Sequence, residues 1–414
     1  MKNVTSISPR VSALYRRIEA GDSSAIDAFW QQLTREGTPL LEELEGDRES
    51  LLLTLIWRAE ETVRNVVVVP GLEETWHPER NRMERVPGTN LWHRTWQVRR
   101  DLRTTYCFSP DDPLRALHEM DLEEEALYLT ERMRAWRPDP LNPRRFSPNP
   151  SLPPMSVIEL PEAPGQLWSA HRPDVPEGEL EERLFRDGRS GRERRVWLYR
   201  SPGFDAAQAP PLLVLCDGEG HLELGVMDVL DNLSASRRIP PLACILLSHS
   251  DRNRELPCHD AFVEELAEGL LPLVRDELRI PCNPARTVIG GWSYGGLAAA
   301  FAGLRHPEVF GNVLSQSGSF WWAPEGAVEH EWLSSQFALS PRRELRFYLN
   351  VGLLECGPSP GNSPSQLVAN RHLRDVLRAR GYDITYRELN GGHDYIGWPA
   401  GLADGLIALL GREA

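Results

Sequence analysis

The sequence predicts an α/β protein in two parts, an N-terminal β-sandwich followed by a mostly parallel sheet covered by helices. Three observations lead there. A proline-rich stretch divides the 414 residues. Short strand-like runs rich in Val, Trp, Tyr and Thr precede it. After it, apolar strands alternate with helical patterns, the rhythm of a sheet buried on both faces.

The first part opens with helical pattern around Ser24–Arg35 and again near Gly46–Asp47. Strand-like runs follow at Leu51–Arg58, Val63–Pro70, Leu91–Val98 and Thr104–Ser109, separated by turn residues. Leu91-Trp92-His93-Arg94-Thr95-Trp96 shows the alternation of a half-buried strand. This reads as a small β-sandwich spanning 1–137, without a catalytic constellation. From Pro138 to Pro164 the chain carries nine prolines. Proline fixes φ and removes a donor, so helix and central strand are excluded there. The stretch 138–178 is read as an extended surface connector between domains.

The second part, 179–414, starts with a hairpin-like pair, Glu181–Arg186 and Arg194–Tyr199. Its strand candidates are Leu212–Cys216, Ala243–Ser248, Thr287–Gly290, Val309–Ser315, Leu345–Val351 and Asp383–Glu388. Helical stretches lie between them at His221–Leu233, Ala261–Leu278, Gly295–Arg305 and Gln366–Arg380.

Composition narrows the function. A formal charge of −14 argues against nucleic acid or an anionic membrane as partner. No apolar run approaches a membrane span. The basic N-terminus lacks an apolar core segment, so no secretory signal is expected. Six cysteines (Cys107, Cys216, Cys244, Cys258, Cys282 and Cys356) form no CxxC pair. They read as reduced thiols of a cytoplasmic protein, with neither a disulfide framework nor a metal site. No HExxH, Walker A or early GxGxxG pattern is present.

The sharpest motif is Gly291-Trp292-Ser293-Tyr294-Gly295. A bare GxSxG arises by chance, but here a strand leads in and a helix leads out. That is the setting of the nucleophile elbow of an α/β-hydrolase, with Ser293 at the strand's carboxyl end. A glycine-rich helix start capped by serine is the plainer alternative. A serine nucleophile needs a base, and the base an orienting acid, following in that fold's order of serine, acid, histidine. Of the downstream histidines, only His393, in Asn390-Gly391-Gly392-His393-Asp394, lies in a loop directly after a strand. Glu355, in Gly352-Leu353-Leu354-Glu355, follows another strand and is the chosen acid. Asp375 falls within a helical pattern, and Asp394 adjoins the histidine and points elsewhere. The oxyanion hole draws on the Tyr294 N–H and on a donor from Asp217-Gly218-Glu219-Gly220-His221, either Gly218 or Glu219. Arg252 and Arg254, in one loop after a strand, and Trp321 and Trp322, in another, are candidate contacts for a planar anionic ligand. A solvated charged loop and apolar packing are the alternatives.

These residues carry a resemblance. The chain resembles the ferric enterobactin (enterochelin) esterases, cytoplasmic hydrolases of catecholate siderophores. It does so at Asp139-Pro140-Leu141-Asn142-Pro143, Arg194-Arg195-Val196-Trp197, Glu255-Leu256-Pro257-Cys258, Phe310 to Trp322 and Gly391-Gly392-His393-Asp394. The resemblance implies a sandwich that contributes to the substrate cleft and a triad of Ser293, Glu355 and His393. It places Arg254 where an arginine faces the anionic catecholate. It implies hydrolysis of a tris-(dihydroxybenzoyl-serine) trilactone, with iron arriving as part of the substrate and no protein cofactor. Gly220-His221 and His259 depart from the family's expected residues, which points to a changed siderophore preference. A general carboxylesterase or acyltransferase of the same fold, and a non-catalytic binding module, are the competing readings.

Overall fold

A computed structural model describes residues 8–147, 153–188 and 191–411. The first seven residues and 148–152 of the expected connector lie outside the described residues. The chain forms two compact units. The first is Met1–Pro164 together with two returning loops, Leu354–Asn362 and Asn390–Ile396. The second is Gly165–Leu353, Ser363–Leu389 and Gly397–Ala414.

In the first unit, α1 (Pro9–Glu19) and α2 (Ala25–Glu36) precede β1 (Leu40–Leu44), β2 (Asp47–Arg58), β3 (Val66–Val69), β4 (Glu84–Arg85), β5 (Leu91–Arg99) and β6 (Arg103–Pro110). Then come α3 (Leu122–Met133), β7 (Arg145–Phe146) and β8 (Met155–Glu159). Two four-stranded antiparallel sheets result, ordered β1-β2-β5-β4 and β3-β6-β8-β7. Every second residue of β2 (Leu51, Leu53, Leu55) joins Trp92 and Trp96 of β5 in a core with Val66, Val68, Tyr106, Phe108 and Ile158 of the other sheet. Alternate side chains of two sheets meeting in one core make this a β-sandwich.

Two expectations change here. Gly46 is the positive-φ turn residue of the β1–β2 hairpin, not part of a helix. The stretch 138–178 is also more than a connector, because β8 runs between β6 and β7. Its residues 155–159 contain no proline, so each can donate to the ladder while the flanking prolines cannot.

The second unit is built on an eight-stranded sheet of β9 (Glu179–Arg186), β10 (Glu193–Arg200), β11 (Leu212–Leu215), β12 (Ala243–Leu247), β13 (Thr287–Trp292), β14 (Asn312–Gln316), β15 (Arg346–Gly352) and β16 (Asp383–Leu389). The order is β16-β15-β14-β13-β11-β12-β10-β9. Strands from β11 onward pair in parallel, and the β9–β10 hairpin is antiparallel. Helices α4 (Gly218–Glu223), α5 (Val226–Ala235), α6 (Arg252–Glu255), α7 (Asp260–Glu264), α8 (Leu271–Leu278), α9 (Tyr294–Arg305), α10 (Trp332–Leu339), α11 (Gln366–Ala379) and α12 (Trp398–Leu410) fill the connections.

Leu212 and Val214 point into one core with Leu297, Phe301 and Leu373, whereas Leu213 and Leu215 point into the other with Val229, Leu233, Leu402 and Leu406. Both faces of the sheet are therefore dry, which explains the continuous apolar strands. The expected single helix at 221–233 breaks at Gly225, where φ is 73°. The one expected at 261–278 is a single helical run with a π-helical turn at Glu265–Leu270.

Candidate active site

Ser293 sits between β13 and α9 with φ 54° and ψ −122°. This is a strained conformation for a residue with a Cβ. The glycines around it are required by close approach. A Cβ on Gly291 would lie 2.8 Å from the Gly295 carbonyl carbon, and one on Gly296 only 2.3 Å from Ser315 Oγ. The return loop after β14 holds the serine from the far side. The Ser293 N–H donates to the Gln316 carbonyl at 3.0 Å, and the Ser319 N–H donates to the Ser293 carbonyl at 3.0 Å. Ser293 Oγ lies 3.3 Å from the buried Ser319 Oγ. The loop is itself tied down, because Asn370 Nδ2 donates to the Gly318 carbonyl at 2.8 Å. Ser319 was invisible as a partner of the nucleophile. The run Ser315-Gln316-Ser317-Gly318-Ser319 stood out, but nothing in it indicated which hydroxyl faces Ser293.

His393 and Glu355 meet. His393 Nδ1 lies 2.7 Å from Glu355 Oε2, and Glu355 is 4% exposed. A carboxylate at that distance places the proton on Nδ1 and leaves the Nε2 lone pair for base chemistry. Both residues belong to the first unit and Ser293 to the second.

The oxyanion candidates cluster in the second unit. Tyr294 begins α9, and Gly218 and Glu219 begin α4. First-turn amides have no intrahelical acceptor, which is why these residues are the oxyanion-hole candidates. A Cβ on Gly218 would come 2.8 Å from the Leu247 nitrogen, and one on Gly295 would come 3.0 Å from Asp217 Oδ2. Glycine at both positions lets the loop press against β12 and the start of α9.

Asp217, in left-handed conformation at φ 59°, is the centre of a charged network. Arg252 donates to its two oxygens at 2.6 and 2.9 Å, and the Asp217 N–H donates to His249 Nε2 at 3.0 Å. Burial would raise the Asp217 carboxyl, but the charge and hydrogen bonds of Arg252 outweigh it and hold the group below its ordinary value. Behind it, His249 Nδ1 lies 3.3 Å from Glu255, and Arg194 bridges Glu255 and Glu265 at 2.8 Å each. Burial opposes ionisation of Glu255, yet His249, Ser250 and Arg194 hold its carboxyl well below the usual range. The motif segments around Arg194 and Glu255 are thus two halves of one buried ion network.

Two of the four expected substrate contacts are engaged within the protein itself. Arg252 uses its fork on Asp217 and lies 5.8 Å from the Tyr294 ring centre. Trp321 is 9% exposed, in the core, with its ring 6.0 Å from Tyr294. Its apolar surface is spent on packing. His221 is also buried, its ring 4.0 Å from Trp292, which in turn stacks on Trp398. A Cβ on Gly220 would lie 2.9 Å from Trp292 Cζ2, so Gly220-His221 is shaped by the tryptophan of the elbow. Trp322 is half-buried and packs edge-on against Trp332 at 6.3 Å. Arg254 is exposed and lines a cavity of about 270 Å³ with Arg192, Ser250, Asp251, Glu255 and His259. His259 also caps α7, accepting the Phe262 N–H at Nδ1 at 3.2 Å.

Residues 52–169 match the family described as enterochelin esterase, N-terminal, and residues 188–409 match the family described as putative esterase. The iron(III) enterobactin esterase of Escherichia coli K12 is 34% identical over 396 residues, covering 92% of this chain and 93% of its own. The chain belongs to the enterobactin esterase family. Within that family, the iron(III) salmochelin esterase of Escherichia coli O6:H1 is 28% identical over 99% of this chain and 100% of its own. The ferric enterobactin esterase structure from Salmonella typhimurium superimposes with a TM-score of 0.72 at 29% identity, covering 92% of this chain and 98% of that one. The Shigella flexneri enterobactin esterase, crystallised in the presence of enterobactin, gives 0.69 at 30% identity, covering 91% and 97%. Among the described residues, no helix of this family member is long and apolar enough to cross a membrane, and no group of His, Cys, Asp and Glu is arranged to hold a metal ion.

Proposed function

We propose that this enterobactin-family esterase is a cytoplasmic serine hydrolase that cleaves the ester bonds of a ferric catecholate siderophore and so releases its iron. The observation that carries the reading is the strained Ser293 elbow together with the 2.7 Å His393–Glu355 pair, in a chain whose relatives are named as iron(III) enterobactin esterases.

In this reading Ser293 Oγ attacks a lactone carbonyl while His393 Nε2 takes its proton. Glu355 holds the imidazole in the Nδ1–H tautomer and stabilises the imidazolium. The Tyr294 N–H and an N–H of Gly218 or Glu219 bind the oxyanion. Collapse of the intermediate breaks the ester C–O bond, and His393 returns the proton to the leaving seryl oxygen. Water, activated by the same histidine, then hydrolyses the acyl-enzyme and regenerates Ser293.

A ferric tris-catecholate carries three negative charges, and this chain carries a formal −14, so local cations are needed. Arg254 supplies one from the cavity it shares with Arg192 and His259. His259 there is the residue through which preference among catecholates is set. Arg252, committed to Asp217, serves the oxyanion loop instead, and Trp322 is the half-buried aromatic left for ligand contact.

The test is chromatography of the products from ferric and iron-free enterobactin. Wild type is expected to accumulate linear trimer, dimer or dihydroxybenzoyl-serine, with Ser293→Ala and His393→Ala reduced about 10³-fold or more. Hydrolysis of p-nitrophenyl esters without trilactone cleavage would discard the substrate and keep the serine chemistry.

A further inference from the structure

His393 lies in a loop that glycine makes floppy and that something must hold. Gly391 and Gly392 precede it, and glycine loses more backbone freedom on ordering than any other residue. The restraint comes from the N-terminal sandwich. The Arg103 N–H donates to the Asn390 carbonyl at 3.0 Å, and Asn390 Nδ2 donates to Asp101 Oδ1 at 2.7 Å. A Cβ on Gly391 would lie 2.7 Å from the Arg103 carbonyl oxygen, so the loop runs directly against the start of β6. The acid's loop is tied in the same way. Thr75 donates to the Leu354 carbonyl from its N–H at 3.2 Å and its Oγ1 at 2.6 Å, and the Leu354 N–H donates to the Gly391 carbonyl at 3.0 Å.

The strongest tie is the residue next to the histidine. Asp394 is buried, and its Oδ2 accepts from Thr104 Oγ1 at 2.9 Å, the Thr105 N–H at 2.5 Å and Thr105 Oγ1 at 3.1 Å. Its Oδ1 accepts the Ile396 N–H at 3.0 Å. A buried carboxylate is tolerated only when its oxygens are satisfied. Three of these four donors come from β6, about 290 residues earlier in the chain. Burial pushes the Asp394 carboxyl upward, and the Ile396, Thr105 and Thr104 hydrogen bonds oppose that shift.

We infer that the N-terminal sandwich is part of the catalytic apparatus, with Asp394 a positioning residue through which Thr104 and Thr105 set the orientation of His393. The inference rests on the reading of His393 as general base. Misplacing a general base by a fraction of an ångström lowers the chemical step while leaving ground-state binding largely intact.

The test uses the full chain with p-nitrophenyl acetate, whose turnover does not depend on the siderophore assignment. Rates are normalised to sites titrated by exhaustive fluorophosphonate labelling, so unfolded protein does not count. Asp394→Asn puts an amide donor against either Thr105 N–H or Ile396 N–H. The double variant Thr104→Val, Thr105→Val removes both hydroxyls at nearly constant volume, and Thr104→Ser, Thr105→Ser restores them. Expected is a kcat per site lowered about 10- to 100-fold in the first two, with KM within about twofold, and recovery in the serine pair. If Asp394→Asn does not fold, the valine pair decides. A kcat per site within about twofold of wild type in the valine pair overturns the inference, as does equal loss in the serine pair. Full turnover in His393→Ala would instead overturn the general-base reading, a result separable from the others.

Discussion

The proposed nucleophile and its proposed base are built in opposite ways. Ser293 is held by contiguous sequence. Gly291, Gly295 and Gly296 clear the space, β13 and α9 flank the turn, and the end of β14 and the loop after it supply the hydrogen bonds to the Ser293 N–H and carbonyl. Glu355 and His393 sit on the loops that follow β15 and β16, yet those loops are hydrogen-bonded to Thr75, Arg103, Thr104 and Thr105 within the first unit. An elbow is a steric device, and a few glycines at fixed spacing suffice for it. The proposed base–acid pair, on glycine-containing loops, needs an external frame, and here Thr75, Arg103, Thr104 and Thr105 of the first unit provide it.

That contrast is sharpened first by Glu355→Gln. Its loop stays tied through Leu354, so the fold should persist while the tautomer of His393 is lost. A kcat loss of about 10²- to 10³-fold is expected. Near-complete retention, measured on any turned-over ester, would remove Glu355 as the acid.

The second comparison sets Arg252 against Arg254, two residues apart. Arg252→Ala frees Asp217 and loosens the oxyanion loop, so kcat should fall about 10-fold or more with little change in KM. Arg254→Ala should raise KM for the ferric complex and leave turnover of a neutral p-nitrophenyl ester unaltered. The opposite assignment of effects in steady-state kinetics would restore Arg252 as the ligand contact.

The smallest effect concerns stability. Burial pushes His221 down to about 3, with the Asp217 charge opposing. In the unfolded chain this histidine protonates near pH 6.5. Between those values the unfolded state binds the extra proton, so stability present at neutral pH is lost as pH falls from about 6.5 toward 3. The slope is at most about 1.4 kcal/mol per pH unit from this group. Urea titrations between pH 7.5 and 5 should show the loss, and His221→Phe should flatten it. An unchanged slope would mean that His221 does not remain neutral in the fold.

Much of this was legible in advance, for reasons that differ by residue. The elbow was legible because glycine spacing reports sterics directly. The sandwich was legible where alternation is strict, as in Leu91–Trp96. Glu355 and His393 could be proposed because the chain order of a hydrolase narrows the choice to loops after strands, and the structure brings their side chains together. What stayed hidden depends on distance or on weak pattern. Asp394 could be placed beside the histidine, but its threonine partners lie in β6, about 290 residues earlier in the chain. Arg252 and Arg254 look alike in sequence, and only the position of Asp217 separates them. Trp321 and Trp322 differ by one residue in burial, which an irregular loop does not announce. α12, Trp398–Leu410, is too uniformly apolar to show a helical face, and α1 has a short, largely polar sequence.

The most direct test of the central claim is peptide mapping of a fluorophosphonate adduct with its rate of formation. A single adduct on Ser293 is predicted, forming about 10³-fold more slowly in His393→Ala. An adduct on another residue, or labelling of Ser293 at the same rate without His393, would contradict the account.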